Sequence, residues 1–299
     1  MHRRASLLVV NSRARLGRGS LDAVVQRLES DGERLIVERP ETPAALVAAI
    51  RARCAQVDRV IVGGGDGTLN LAAAPVLDCG LPLGIVPLGT ANDLARTLGI
   101  PGDLAGAVEV LRRGLVRRID LGQVNGHYFF NVASIGLGPR VTERLTSEAK
   151  SRLGPLEYPR ALISAYREHR PFHARVSVDD TSRWVRTMHL AVGNGRFYGG
   201  GAAVYEDAAI DDGRLDLFSL APRPLWQLVL LAPWLRKGRH RPLRAVQMLH
   251  GTHARVETRR PMPVSADGEV LAETPAEFRV LPGILPVIAA ATLGEGAQK

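Results

Sequence analysis

The chain has 299 residues, 45% of them hydrophobic, and a formal net charge of +9 that is carried almost wholly by arginine. This length supports one large domain or two ordinary ones with an ample core, and a chain of this size does not depend on a disulfide. No run approaches the roughly 18 apolar residues that span a bilayer, so we expect no transmembrane segment. Cys54 and Cys79 have no metal or redox spacing, so we predict that both are reduced, in the cytoplasm.

From Ser6 to about Gly114 the chain alternates short apolar strands with helices. Strands are predicted at residues 7–10, 34–37, 59–62 and 83–86, and helices at 21–28 and 44–52. The apolar run after residue 4 is too short for a secretory signal, so we interpret it as the first strand. Such alternation predicts a parallel sheet with helices on both faces, which is a doubly wound α/β domain.

A glycine-rich loop follows the third predicted strand. Residues 62–70 read VGGGDGTLN, and glycine lets a backbone approach a ligand closely. The next helix offers its N–H groups to phosphate. Asp66 is tolerated beside phosphates when a cation lies between them, so the loop predicts a metal–nucleotide site that has no Walker lysine. An ordinary strand-to-helix turn is the alternative. The predicted nucleotide contacts here are Gly64, Gly65, Asp66, Gly67, Thr68, Leu69 and Asn70.

A second unit of the same kind comes about twenty residues later. Residues 83–96 read LGIVPLGTANDLAR, which is an apolar strand, a Pro/Gly turn and a helix start. Thr90 is expected to cap that helix, and we add Thr90 and Asn92 to the nucleotide contacts. Loops at the carboxyl ends of parallel strands can line one crevice, so the pair is more specific than either loop alone.

The second half of the chain is predicted to be mostly β. Two-residue alternation appears after Arg117, with turns at Asn125-Gly126 and Asp179-Asp180. Strands are predicted at residues 174–178, 187–192, 215–219, 254–257 and 277–280, and a helical insertion at 156–169. The segment 225–244 sets two tryptophans and several leucines beside a basic cluster, which suits a contact with an anionic membrane surface. A core helix followed by a solvated basic loop explains it equally well.

The two glycine loops together carry a resemblance to a known family. GGGDGTLN followed by PLGTANDLAR resembles the diacylglycerol kinase catalytic-domain family, which includes sphingosine kinases and bacterial lipid kinases. Segments 119–125, 193–196, 212–216 and 267–269 resemble its later motifs, in order. The resemblance implies an α/β plus β fold: a nucleotide domain at 1–120, to which 286–299 return, and a β-sandwich-like domain at 121–285 that completes a cleft for lipid and catalysis.

The resemblance also implies catalytic roles. Glu269, in the Asp267-Gly268-Glu269 turn, matches the family's catalytic carboxylate, which would act as the base for the attacking hydroxyl. From spacing alone, this turn is an ordinary hairpin with a solvated acid. Asp66 would act with Glu269 through the magnesium–ATP complex. A threonine that touches the nucleotide in bacterial members has no clear counterpart, since Glu38 ends the second strand and Thr42 comes later; that contact stays open.

A structural cation site is implied in the second half as well. Asp212, with main-chain oxygens of Ala209 and Arg214, matches a Mg²⁺ site of the bacterial members, and oxygen ligands of these kinds suit a hard cation. Asp-Gly is more often a simple turn, but nearby acids strengthen the hypothesis. Those acids are Asp207 and Asp211, with Asp120 and Asp216 as candidates for a surrounding network.

The leading hypothesis is an ATP-dependent lipid kinase that phosphorylates a hydroxyl of diacylglycerol, phosphatidylglycerol or a related lipid. Its partner is a lipid at an anionic membrane surface, which places the protein in the cytoplasm and peripherally at the inner membrane face. Three alternatives stay open: a kinase such as NAD kinase or phosphofructokinase on the same GGDG string, a non-catalytic nucleotide-binding regulator, and a nucleic-acid or membrane-binding module. The PLGTAND segment favours the lipid kinase, and no nucleic-acid motif is present. The acceptor lipid and the oligomeric state are left open.

Overall fold

The computed structural model describes residues 4–11, 18–30, 32–137, 166, 170–198, 201–204, 207–224, 226–227 and 246–291. The chain divides into two compact units, Met1–Asp120 with Gly283–Lys299, and Leu121–Pro282. The predicted helix at 156–169 and the basic segment at 225–244 lie almost wholly outside the described residues. Within the residues that are described, no helix is both long and apolar enough to cross a membrane.

The helices and strands below are numbered in chain order. The helices are α1 (Arg18–Glu29), α2 (Pro43–Arg53), α3 (Asp66–Cys79), α4 (Asp93–Thr97) and α5 (Leu104–Arg113). The strands up to the middle of the chain are β1 (Ala5–Val10), β2 (Arg34–Glu38), β3 (Arg59–Gly64), β4 (Leu83–Pro87), β5 (Leu115–Val124), β6 (His127–Phe129) and β7 (Val132–Gly136). Those that follow are β8 (Phe172–Val178), β9 (Thr181–Thr187), β10 (His189–Gly193), β11 (Phe197–Tyr198), β12 (Ala202–Ala203), β13 (Leu215–Leu220), β14 (Val246–Gly251), β15 (His253–Thr258), β16 (Pro263–Ala266), β17 (Glu269–Glu273) and β18 (Ala276–Ala289).

The first unit is the doubly wound α/β domain that the sequence predicts. Its strands lie in the order β2, β1, β3, β4 and the second half of β18, and every pairing in this series is parallel. Residues Leu8, Ile61 and Val86 share an apolar cluster with α1 and α5 on one face of the sheet. The alternate residues of β1 and β3 point to the opposite face, and there α2 packs on β1, and α3 on β3 and α2.

Local chemistry explains where these helices begin and end. At α2, Thr42 is the N-cap and its hydroxyl accepts from the N–H of Ala45, while Pro43 occupies the first helical position. Such a cap satisfies one of the unpaired N–H groups at a helix start. Helix α3 ends at Gly80, whose φ of 66° is a left-handed conformation that glycine adopts at little cost.

The second unit is a sandwich of two antiparallel sheets. One contains the first half of β18, β15, β8 and β9, with β5 and β6 beside β18; the other has the order β14, β13, β10, β7, β16 and β17. Residues of both sheets, among them Phe129, Val176, Leu217 and Phe278, belong to one buried apolar cluster. The predicted β-sandwich-like half is therefore confirmed.

One predicted strand was wrong. Residues 187–192 alternate like a single strand, but β9 ends at Thr187 and β10 begins at His189, and the two strands belong to different sheets. The hydroxyl of Thr187 donates to carbonyl oxygens of His189 and Leu220, and the N–H of Met188 donates to the carbonyl of Leu220. These bonds carry the chain from one sheet to the other, and the core-facing positions change there from Val185 in β9 to Leu190 and Val192 in β10.

Candidate active site

The first glycine loop joins β3 directly to α3. Gly64 ends the strand, Gly65 is the N-cap residue, and the helix begins at Asp66. No side chain caps this helix, so its first N–H groups are not satisfied in that way. An α-helix start without a side-chain cap attracts an anion through those N–H groups and through the positive end of the helix dipole.

Gly64 and Gly65, the last two of the three glycines before Asp66, each lie in a close contact. A Cβ on Gly64 would lie 2.5 Å from the Cβ of Thr68 in the first turn of α3. A Cβ on Gly65 would lie 3.0 Å from the Cα of Gly89. The second glycine loop therefore passes directly against the first, backbone to backbone, as expected for loops at the carboxyl ends of neighbouring parallel strands.

Asp66 also connects the two loops. Its Oδ1 accepts from the N–H of Leu94 at 3.2 Å, in the first turn of α4. This contact links the two sequence motifs across 28 residues. The side chain of Asp66 is half-buried, so a carboxylate is held at the start of α3 and still borders solvent.

The remaining residues of the first loop divide into core and candidate contacts. Leu69 is buried in the core, so only its backbone can reach a ligand. Thr68 is also buried, and its hydroxyl accepts from the Nδ2 of Asn11 at 3.1 Å. Among the residues that the structure describes, nothing accepts from the buried Nδ2 of Asn70. Asn70 thus has a buried side-chain donor that no described residue engages.

Asn11 is a site residue that sequence reasoning did not assign. It follows the last residue of β1, and its N–H donates to the carbonyl of Gly63. Its side chain therefore reaches the glycine loop from the next strand of the sheet. The only sequence signal was a polar residue at the carboxyl end of a buried strand.

The second loop differs from its prediction at the helix cap. Thr90 is not the N-cap of α4; Asn92 is, with a left-handed φ of 50°. The side chain of Asn92 turns back, accepting from the N–H of Gly89 at 2.8 Å and donating to the carbonyl of Gly89 at 2.9 Å. The turn thus closes on Gly89, and the helix starts later than predicted. Thr90 is left exposed.

Glu38 and Thr42, the two residues considered for a nucleotide contact after the second strand, each have a local partner. Glu38 accepts from the Nε of Arg53 at 3.0 Å, and Thr42 caps α2. Neither contact requires a nucleotide.

Asp120, which the sequence analysis considers for the network around the Mg²⁺ site, is buried in the first unit. Its Oδ1 accepts from the N–H of Gly283 at 2.7 Å.

Glu269 lies in the second unit, at the first residue of β17. It directly follows the tight turn of Asp267 and Gly268, whose φ values are 46° and 90°. The residue as a whole is exposed, so protein atoms cover its carboxyl only in part. Partial burial among protein atoms raises the pKa of its carboxyl above the ordinary value for glutamate, because a charged form is less well solvated there than in water.

The acidic loop that ends at β13 is internally bonded. Oδ1 of Asp212 accepts from the N–H of Arg214 at 3.2 Å, and its Oδ2 lies 3.1 Å from the Nε of the same arginine. Burial raises the pKa of Asp212, while the Arg214 charge and the N–H groups of Arg214 and Ala209 oppose that shift. The nearby Asp216 is buried and bonded to Nδ1 of His250.

The atoms that Asp212, Ala209 and Arg214 could offer suit Mg²⁺ chemically, but their present arrangement does not form a Mg²⁺ site. A carboxylate and main-chain carbonyls are the oxygen donors that Mg²⁺ prefers. However, the guanidinium of Arg214 already lies on one carboxylate oxygen of Asp212. Within the described residues, no group of three or more His, Cys, Asp or Glu side chains is placed to hold a metal. A cation at Asp212 would therefore compete with Arg214 for that oxygen.

The chain thus combines a parallel α/β unit, which has two touching glycine loops, with a β sandwich. The comparisons with known proteins define the class to which this combination belongs. Residues 5–124 match the family model described as "Diacylglycerol kinase catalytic domain", and residues 131–289 match "YegS C-terminal NAD kinase beta sandwich-like domain".

Relatives with known names support the same class. The chain is 33% identical over 241 residues to "Diacylglycerol kinase" of Bacillus subtilis, covering 79% of this chain and 78% of the relative. It is 37% identical over 235 residues to "Probable lipid kinase YegS-like" of Pseudomonas aeruginosa, covering 76% and 75%. A crystal structure of a Bacillus anthracis protein has a TM-score of 0.82 at 25% identity, covering 97% of each chain. The chain therefore belongs to the diacylglycerol kinase catalytic-domain family, with YegS-like lipid kinases among its relatives.

Proposed function

We propose that this protein is an ATP-dependent kinase that transfers the γ-phosphoryl group to a hydroxyl of a lipid. The observation that carries the proposal is the position of Asp66. It stands at the uncapped start of α3, its carboxylate is tied to Leu94 of the second motif, and it borders the contact between Gly65 and Gly89. The start of the helix can bind a phosphate chain, and the carboxylate beside it can bind the accompanying cation.

The first unit supplies the nucleotide site in this proposal. The N–H groups at the start of α3 and the glycine backbones bind the phosphates, while Thr90, Asn92 and Asn70 offer polar contacts. Asp66 holds the Mg²⁺ that accompanies ATP; when bound, that ion neutralises charge on the phosphates during transfer. No lysine is near this loop in the sequence, so the backbone, the helix dipole and Asp66 replace the lysine of a Walker loop.

The second unit supplies the base. As the acceptor oxygen bonds to the γ-phosphorus, the bond from that phosphorus to the bridging oxygen of ADP breaks, and the hydroxyl proton passes to Glu269. A carboxylate whose pKa is raised by burial is better matched to this task than an ordinary solvated one. That the two units serve one reaction stays a prediction, as does the Mg²⁺ site of Asp212, Ala209 and Arg214.

We infer that the acceptor is a lipid alcohol such as diacylglycerol or phosphatidylglycerol, presented at an anionic membrane surface. The names of the bacterial relatives support a lipid acceptor. The net charge of +9 supports binding to an anionic surface, because positive charge is attracted to such a surface at long range. The arginine-rich segment at 225–244 is the proposed contact, which would place the protein peripherally at the inner face of the membrane.

The test is transfer of labelled phosphate from ATP to a panel of acceptors in mixed micelles: diacylglycerol, phosphatidylglycerol, a sphingoid base and NAD. We expect a lipid product, and a loss of at least about a hundredfold in kcat for Asp66→Asn and for Glu269→Gln. Asp78→Asn is the matched control, because Asp78 is an exposed acid on the same helix as Asp66 and pairs only with Arg51 among the described residues. Transfer to NAD alone, or full activity of both variants, would overturn the proposal.

A further inference from the structure

A second acid lies beside the proposed base. Asp267 is the first residue of the two-residue turn between β16 and β17, and both turn residues have positive φ. That is the geometry of a type I′ hairpin turn, which asparagine, aspartate and glycine all tolerate. The turn itself therefore needs no negative charge at residue 267.

The carboxylate of Asp267 is bonded to the backbone of a distant segment. Its Oδ2 accepts from the N–H of Phe130 at 2.6 Å, and its Oδ1 accepts from the N–H groups of Asn131 at 3.0 Å and Val132 at 3.2 Å. The N–H of Asp267 donates in return to the carbonyl of Val132 at 3.0 Å. Bonds from N–H groups to an ionised carboxylate are about twice as strong as neutral ones. Asp267 is therefore an anchor of residues 130–132.

Asn194, the residue that follows β10, holds the same segment. The N–H groups of Asn194 and Gly195 donate to the carbonyl of Asn131 at 2.8 and 3.0 Å, and Nδ2 of Asn194 donates to the carbonyl of Phe130 at 2.8 Å. Asn131 and Asn194 are each only 3% exposed. A Cβ on Gly195 would lie 2.8 Å from Oδ1 of Asn131. Residues 130–132 thus form a fixed support inside the second unit.

Glu269 has no comparable support of its own. In the described part of the chain no hydrogen bond or ion pair engages its carboxylate, and burial is the only cause of its pKa shift. The direction of its side chain is set by the backbone at the start of β17. That backbone leaves the turn two residues after Asp267, whose carboxylate fixes the turn to residues 130–132.

We propose that Asp267 is a positioning residue for Glu269, and that its charge serves this purpose rather than the binding of a metal. Both of its oxygens already accept bonds from N–H groups. These bonds fix the turn, and the turn sets the backbone direction at the first residue of β17. The inference rests on the proposed function, in which Glu269 accepts the proton of the acceptor hydroxyl.

The chain offers a matched control at Asp179. This residue also starts a turn with positive φ, 45°, and its Oδ1 accepts from the N–H groups of Thr252 at 3.2 Å and His253 at 3.1 Å. Asp179 therefore makes the same kind of anchor, in the hairpin of β8 and β9, with no part in the proposed site. Asp267→Asn and Asp179→Asn each keep a residue that tolerates the turn and remove the charge.

The first measurement is amide hydrogen exchange of the full chain by mass spectrometry, which does not depend on activity. Asp267→Asn should speed exchange in the peptide that contains residues 130–132 by at least about tenfold, since a bond to a charged group contributes roughly that factor. Asp179→Asn should speed exchange at residues 252–253 instead. Unchanged exchange at 130–132 in Asp267→Asn would overturn the anchor.

The second measurement is a double-mutant cycle on lipid phosphorylation. Asp267→Asn should lower kcat about tenfold or more, leave the KM for ATP within about twofold, and cause no further loss in a Glu269→Gln background, because residues that act together are non-additive. Asp179→Asn should leave kcat unchanged. Equal losses in both backgrounds would leave Asp267 as a structural anchor only and overturn the positioning role. If Glu269→Gln kept wild-type kcat, the proposed base and its positioning would both be wrong. The exchange measurement would still show whether Asp267 anchors residues 130–132.

Discussion

Gly65 and Gly89 touch through their backbones. A Cβ placed on Gly89 would lie 2.5 Å from the Cα of Gly65, closer than side chains approach backbone atoms in folded proteins. The contact joins two motifs that stand about twenty residues apart in the sequence, and it leaves space for neither residue to carry a side chain. The spacing of the two loops, and with it the shape of the proposed phosphate site, therefore depends on this pair.

Gly89→Ala is expected to separate the two loops. Overpacking of this kind costs about 1–3 kcal/mol of folding free energy, and it should weaken ADP binding by at least about tenfold, because the N–H groups at the start of α3 would shift. Chemical denaturation and calorimetric titration with ADP measure the two effects.

Gly102→Ala is the control for that substitution. Gly102 lies in the same unit, and a Cβ there would meet nothing within 4 Å, so its stability should stay within about 0.5 kcal/mol of the wild type. A Gly89→Ala variant with wild-type stability and ADP affinity would show that the loops can separate without consequence.

The local parts of the site could be predicted from sequence, and the long-range parts could not. The GGGDG turn was predictable because a strand, glycines and a helix start are adjacent in the chain. The cap at Thr90 was wrong because Asn92 bonds back to Gly89, a choice between two good cap residues that composition does not decide. Asn11 was missed because its partner, Thr68, is 57 residues away.

The same distinction holds in the second half of the chain. The Asp267-Gly268 hairpin turn was predictable from the residue pair. The bonds from its carboxylate to Phe130, Asn131 and Val132 span more than 130 residues and leave no local pattern. The break after Thr187 was hidden because the buried Met188, which lies between the strands, is spaced like the core residues Leu190 and Val192 of β10.

The raised pKa of Glu269 predicts how activity depends on pH. A base must be ionised, so kcat/KM should fall as pH decreases, through a pKa above the usual value of about 4.3 for glutamate. Glu269→Gln should remove this acidic limb together with most of the activity. A pH–rate profile of both proteins, at saturating Mg²⁺ and ATP, measures it.

The same shift has a consequence for stability. A group whose folded pKa is raised contributes stability that is present below its unfolded pKa and is lost as pH rises through the folded pKa. At neutral pH, ionised Glu269 therefore does not stabilise the fold, and Glu269→Gln should be at least as stable as the wild type. A large loss of stability in that variant would mean that its loss of activity reports unfolding.

Arg214 is expected to compete with a cation at Asp212. The guanidinium lies 3.1 Å from Asp212 and 3.5 Å from Asp216. Without nucleotide, Mg²⁺ should therefore raise the thermal midpoint of the wild type only slightly, and that of Arg214→Leu by several degrees. Binding at 100 times Kd stabilises by about 2.7 kcal/mol, and each kcal/mol is roughly 2–4 °C for a chain of this size class.

Asp212→Asn in the Arg214→Leu background provides the control for this Mg²⁺ response. It should abolish the response if Asp212 is the ligand. An equal Mg²⁺ shift in the wild type and Arg214→Leu would show that Arg214 does not compete. No shift in either protein would remove Asp212 from the list of metal ligands.

Cys79 is expected to be an unreactive thiol although it is partly exposed. Burial of the sulfur, followed by a hydrogen bond with Cys54, raises the pKa of Cys79 to about 12. The thiolate is the reactive form, and an ordinary thiol with a pKa of about 8.5 is roughly a quarter ionised at pH 8. Alkylation of Cys79 by iodoacetamide at pH 8 should therefore be at least about a hundredfold slower than alkylation of a free cysteine.

Cys54→Ser separates the causes of that slow reaction. It removes the partner thiol and leaves the burial, which is the larger cause, so the rate at Cys79 should rise and still stay below that of a free cysteine. Peptide-level mass spectrometry measures the rates, and the same protein in urea gives the unfolded reference. Because both thiols are partly exposed, a slow rate reports the protonation of the sulfur rather than a lack of access. A native Cys79 that reacts as fast as it does in urea would contradict this explanation.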